Sequence, residues 1–191
     1  FNHDTLDKSS LQYKGEIYDT YITPSDLRCF YNPLKNFQKV IHTELSFHGT
    51  CHQVTLPKLN LYADAGDIKL KSNGHADLQD DKTAWYANID ELTVSESILD
   101  FIQKNIPQMP EQVKRIGNLQ CNGTFQGSTK GDLSAHSTMN TGIGNLVLDF
   151  AMTVDKQFRG NIDTKGLNLK QLLDNEKLGL LATNLTFDGQ L

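Results

Sequence analysis

No run of about 18 or more apolar residues occurs in this 191-residue sequence, so no segment reads as a membrane-spanning helix. Nor is there a run of one charge. The net charge of −5 is spread along the chain, without the basic stripe of a nucleic-acid binder. Cys29, Cys51 and Cys121 make an odd count without CxxC spacing. That excludes a disulfide framework or a zinc ribbon, and the three read as inert small hydrophobes. GxSxG, HExxH and P-loop motifs are missing, and Gly142-Ile143-Gly144 lacks the third glycine and the following helix of a dinucleotide fingerprint. No signal segment is visible, which leaves the compartment open. No low-complexity linker divides the chain, so residues 1–191 are expected to form one continuous body.

What the sequence does contain is a pattern used three times: an aromatic, a small residue and an isoleucine at alternate positions. The copies are Tyr13-Lys14-Gly15-Glu16-Ile17, Trp85-Tyr86-Ala87-Asn88-Ile89 and Phe158-Arg159-Gly160-Asn161-Ile162, spaced by 72 and 73 residues. A fixed period of this length is the mark of one structural unit repeated, with function carried by a long shared surface. A short helix is expected after each copy, capped by Thr23, Ser95 and Asn168, whose side-chain oxygens suit the first exposed N–H groups. Pro24 suits a first helical position. A second motif, Leu-x-apolar-x-Gly, recurs at Leu45–Gly49, Leu119–Gly123 and Leu185–Gly189. The repeat units are therefore expected at about 13–84, 85–157 and 158–191, the last cut short, as in a fragment of a longer repetitive protein.

Between these motifs the chain alternates. Leu59, Leu61 and Ala63 share one phase, as do Ile68 and Leu70, and as do Leu146, Leu148, Phe150 and Met152. Period two with intervening polar residues predicts short strands buried on one face. Turn signals at 64–67, 72–74, 79–82, 128–131 and 141–144 space them as antiparallel meanders. Helical spacing is confined to Pro24–Ile41, broken by Pro33, to Ser95–Asn105, ending near Ile106-Pro107, to Glu111–Arg115, and to Asn168–Lys177, with Gly179 as its stop. The fold class is thus mainly β, with short helices between repeat units.

Few residues suggest chemistry. His42, His48, Cys51 and His52 cluster in sequence, and on a strand His48 and His52 would share a face. Their separation there, about 13 Å at the usual strand rise, is too wide for one ion, so no metal site is expected. Trp85 and Tyr86 read as packing at a sheet edge. No catalytic constellation is visible and no cofactor is expected. A non-enzymatic protein is the first reading. A β-rich structural or adhesion rod with a closed core is the second, and a hydrolytic enzyme with carboxylates brought together from distant strands is the third.

One resemblance sharpens the first reading. Gly123-Thr124-Phe125-Gln126-Gly127, Gly131-Asp132-Leu133-Ser134-Ala135, Thr141-Gly142-Ile143-Gly144-Asn145-Leu146, Phe158-Arg159-Gly160-Asn161-Ile162 and Leu178-Gly179 occur in this order. The order resembles the AsmA-like family, in particular its TamB-type translocation and assembly module members, most closely over residues 117–191. The resemblance implies a periplasmic portion of a protein anchored in the inner membrane of a Gram-negative bacterium. It implies a meander curled into an elongated, taco-like groove. It implies phospholipid transport between inner and outer membranes, or support of outer-membrane protein assembly, with phospholipid acyl chains as the partner, an outer-membrane assembly protein engaged through another part of the chain, and no nucleic acid. The candidate groove-lining residues are Leu59, Leu61, Leu146, Leu148, Phe150 and Met152.

Overall fold

The period-two alternation becomes one open sheet. The computed structural model describes residues 11–29, 31–63, 65–79, 81–105 and 110–191. Its ten strands are β1 (Gln12–Ile22), β2 (Ile41–Thr50), β3 (Gln53–Ala63), β4 (Ile68–Leu78), β5 (Thr83–Val94), β6 (Leu119–Ser128), β7 (Leu133–Thr141), β8 (Gly144–Met152), β9 (Gln157–Asn168) and β10 (Leu180–Gln190). They lie side by side in chain order, each antiparallel to the last, and β1 and β10 have one neighbour each, so the sheet does not close. Phe30 of the first expected helix, Asp64 and Asp80 of two expected turns, and the helix end and link at 106–109 lie outside the described residues.

Helical segments occur in three of the connections, β1–β2, β5–β6 and β9–β10, and all three are at the same end of the sheet. The first is two 3-10 turns, Pro24–Cys29 and Asn32–Asn36, rather than one broken α-helix, with Pro33 opening the second turn. The second is α1 (Glu96–Asn105) followed by α2 (Gln112–Arg115). The third, α3, is short, Leu169–Leu173. It stops at Asp174, in the left-handed conformation (φ 53°), five residues before the glycine that was expected to end it. Asn168 caps α3 as expected, its side chain accepting from the Gln171 N–H at 3.1 Å. Ser95 does not cap with its side chain. Its hydroxyl is bonded to Asp67 at 3.0 Å, and the Glu96 N–H is taken by Asn118 at 2.9 Å.

Tyr13, Trp85 and Phe158 fall on β1, β5 and β9, the strands that lead into the three helical connections. The strand after each connection pairs back on it with the same side-chain scheme. Tyr13 faces Gly49, Gly15 faces Phe47 and Ile17 faces Leu45. Phe158 faces Gly189, Gly160 faces Phe187 and Ile162 faces Leu185. Each aromatic ring thus lies over the glycine of its neighbour, where a Cβ would meet the Phe47 and Phe187 rings at 2.3 and 2.4 Å. The two ring pairs also match in geometry: Tyr13–Phe47 has centroids 6.2 Å apart at 50°, Phe158–Phe187 6.4 Å at 49°.

The middle unit corrects the alignment of the second motif. Trp85 faces Gly127, Ala87 faces Phe125 and Ile89 faces Gly123. The counterpart of Leu45–Gly49 is therefore Gly123–Gly127, not Leu119–Gly123. A leucine was used to anchor the motif, but in this unit the leucine position is occupied by glycine. A further recurrence left no trace in the pattern. Beyond the isoleucine, β1, β5 and β9 each carry an extra residue against the following strand, and β3 carries one around Pro57. Such bulges bend a strand and increase its twist, and they accommodate a proline that cannot donate to the ladder.

The expected turn at 72–74 is not a turn. β4 runs straight through it, and Gly74 sits where the Tyr86 carbonyl oxygen would lie 2.4 Å from an added Cβ. The glycine serves close approach between backbones, not chain reversal. The buried core is at the helical end: Phe37, Ile41, Ala63, Val94, Ile98 and Leu99, with Phe101 set edge-on to Phe37 at 5.0 Å.

Candidate ligand-binding faces

Paired residues of neighbouring strands share a face, so the register assigns every strand side chain to one of two faces. Leu148 pairs with Ser137, Ser137 with Gly123, Gly123 with Ile89, Ile89 with Ser72 and Ser72 with Leu59. The adjacent row runs Leu146, Met139, Cys121, Leu92, Leu70, Leu61. Phe150 and Met152 continue the same face on β8, opposite Ala135 and Leu133. All six candidate residues thus stand on one face, Leu148 in a row with Leu59 and Leu146 in a row with Leu61, although β3 and β8 are five strands apart. Leu61 packs against the helical-end core. The other five are half-buried.

That face is apolar from β1 to β10. At the helical end it is covered by α1, α2 and Phe37. Towards the opposite end it carries Tyr13, Phe47, Trp85, Phe125, Phe158 and Phe187, of which Trp85 is 38% exposed. A cavity of about 290 Å³ opens there beside Val54, Leu56, Gly74, Ala76 and Trp85. Trp85 is not at a sheet edge: β5 is an interior strand, and the indole lies over Gly127. Tyr86 points the other way and stacks on His75 with centroids 5.4 Å apart. Small residues, Ser72, Gly123 and Ser137, occupy the middle of the face. Ser137 is fully buried, and its hydroxyl has no hydrogen-bond partner among the described residues.

The opposite face is polar. Lys58 pairs with Glu44 at 2.6 Å and Lys69 with Glu91 at 2.8 Å, and both carboxyls are held below the usual glutamate range, chiefly by the hydrogen bonds from these lysines. His42 and His48 lie on this face of β2, but His52 is in the bend between β2 and β3 together with Cys51, so His48 and His52 do not share a strand. Among the described residues no three His, Cys, Asp or Glu side chains converge as a metal-binding group. Burial pushes the Cys121 thiol up, whereas Cys29 and Cys51 are exposed.

The polar face also holds a cleft of about 510 Å³ across β6–β10, which the sequence did not single out. Gln126, Ser134, His136, Asp149, Arg159 and Asn161 line it. His136 Nδ1 is hydrogen-bonded to Asp149. No hydroxyl is hydrogen-bonded to the other nitrogen of this ring among the described residues. Alternation within single strands could not bring these residues together, because their meeting depends on the register of five strands.

No helix among the described residues is long and apolar enough to cross a membrane. No family model, no curated protein and no solved structure matches the chain.

Proposed function

We propose that the chain binds phospholipid acyl chains along its apolar face, as a non-enzymatic segment of an envelope-biogenesis protein. The observation that carries this reading is one apolar face continuous over ten strands and, among the described residues, covered by helices only at one end. Exposed apolar surface of this extent marks an interaction site. The bulges on β1, β3, β5 and β9 support a sheet curled about this face into an elongated groove, with Ser72, Gly123 and Ser137 at its floor. Leu59, Leu146, Leu148, Phe150 and Met152 line it, and Leu61 seats it on the helical-end core.

An acyl chain needs no specific polar contact there. Each buried methylene contributes about 0.8 kcal/mol, so a short stretch of chain is enough to bind. The polar outer face keeps the assembly wetted. In this reading the segment belongs to the periplasmic portion of an inner-membrane-anchored protein, and supports phospholipid transport to the outer membrane or outer-membrane protein assembly.

The test is native mass spectrometry of the chain purified gently from a membrane-containing extract. Copurified phospholipid, displaced by added fatty acid, is the expected result. A lipid-free spectrum, with no binding of added phospholipid, would refute the reading in favour of a closed structural rod.

A further inference from the structure

We propose that the cleft on the polar face binds an anionic sugar, a ring bearing hydroxyls together with one carboxylate or phosphate. This concerns the face opposite the acyl-chain groove and stands independently of it.

The first observation is where the repeat ends. The recurring aromatic, small and isoleucine positions all point to the apolar face. The residues between them point to the polar face and recur as no fixed pair: Lys14 with Glu16, Tyr86 with Asn88, Arg159 with Asn161, only the asparagine being shared by two units. The repeated architecture therefore does not dictate the side chains of the cleft.

The second is what the cleft offers. At about 510 Å³ it falls within the usual range of small-molecule sites, and suits one or two sugar rings. Its lining carries acceptors in Asp149, donors and acceptors together in Gln126 and Ser134, and a donor in the Asn161 amide, set among the apolar surfaces of Ala135, Phe150 and Ala151. A sugar hydroxyl both donates and accepts, so it matches such a mixture. An acyl chain does not, because it would strip water from these groups without replacing their hydrogen bonds.

The third is an unmatched charge. Arg159 stands in the ladder between Ala151 and Asp188, yet among the described residues its guanidinium makes no ion pair. Asp149, the acid beside it in the cleft, is occupied by His136. A guanidinium offers paired donors in the geometry that a carboxylate or phosphate accepts.

The experiment is a chemical-shift titration of the isotope-labelled chain with glucuronate and with glucose 6-phosphate. Glucose and inorganic phosphate serve as probes of each half of the ligand. At least one anionic sugar is expected to give saturable shifts on β7, β8 and β9 around His136, Asp149 and Arg159. Glucose alone and phosphate alone are expected to bind about tenfold more weakly or worse. Arg159→Gln should lower affinity for the anionic sugar about tenfold or more, the loss of a charge-assisted hydrogen bond, and leave glucose binding unchanged. Arg159 is exposed, so the variant should unfold at the wild-type temperature. Asp149→Asn is the second variant, and should weaken glucose and glucose 6-phosphate alike. Glucuronate shifts without glucose 6-phosphate shifts assign the anion as a carboxylate, and the converse as a phosphate. Absence of saturable shifts with both sugars overturns the proposal. So do shifts confined to the apolar face, full-strength binding by Arg159→Gln, or inorganic phosphate binding as tightly as glucose 6-phosphate.

Discussion

Ser137 shows how single positions adapt to close packing on the apolar face. It stands opposite Gly123 and Leu148 in the middle of the apolar face, fully buried, its hydroxyl without a hydrogen-bond partner among the described residues. A buried hydroxyl without a hydrogen bond carries its desolvation cost uncompensated. Ser137→Ala is accordingly expected to leave stability unchanged or raise it by about 1 kcal/mol, read from urea unfolding. A clear loss of stability would mean that the hydroxyl has a partner in solution. Its neighbour is the opposite case. A Cβ on Gly123 would lie 2.2 Å from the His136 carbonyl oxygen and 2.7 Å from the Ser137 Cα. Backbone cannot yield as a side-chain tip can, so Gly123→Ala is expected to cost about 1–3 kcal/mol in the same measurement. The cysteines separate by burial. Iodoacetamide at mildly alkaline pH should label Cys29 and Cys51 and spare Cys121, whose thiol is both buried and raised in pKa. Peptide mapping after alkylation reads this directly.

At the scale of elements, the helical end is tied together by Asp67, just before β4. Its carboxylate takes Lys39 from the approach to β2 and the Ser95 hydroxyl from the end of β5, and its carbonyl accepts the Ser95 N–H at 2.8 Å. Lys39 first, then Ser95, hold the carboxyl below the usual aspartate range. A depressed pKa in the fold means a contribution present in full above the unfolded-state value and lost as pH falls through the folded-state value. Asp67→Asn should therefore unfold at lower urea than wild type at neutral pH, and the gap should close in acid, below the ordinary aspartate range. A gap that is constant with pH would show that the loss is one of shape, not of charge. The sequence made strands and their faces legible because alternation is local: Leu146, Leu148, Phe150 and Met152 could be placed on one face without any partner. It was less informative where a partner decides. Ser95 has the chemistry of a cap, but Asp67 competes for its hydroxyl. Asn73-Gly74 has the chemistry of a turn, but the approach of β5 uses the glycine. The polar cleft depends wholly on register and left no sequence signal.

For the whole molecule, the consequence of an amphipathic sheet is that one substitution can tell a groove from a core. Leu148 lies on the apolar face between Ser137 and Ile162 and is half-buried. If this face is an open groove, an aspartate there can turn its carboxylate to water. Leu148→Asp would then lose only part of a leucine's burial, less than about 2 kcal/mol, and remain folded. The same charge would repel the hydrocarbon that the groove is proposed to hold, so phospholipid copurification should fall to background. In a closed core the carboxylate would be buried without a partner, at a cost of several kcal/mol, enough to unfold a domain of ordinary stability. Thermal unfolding and native mass spectrometry of one purified variant thus give distinct pairs of results: folded and lipid-free for the groove, unfolded for the rod. Folded protein that still carries lipid would remove this row of the sheet from the binding face. Asp149, the next residue along β8, faces the opposite way. Asp149→Asn should leave lipid copurification untouched, which makes it the control that ties any loss at Leu148 to its face of the sheet.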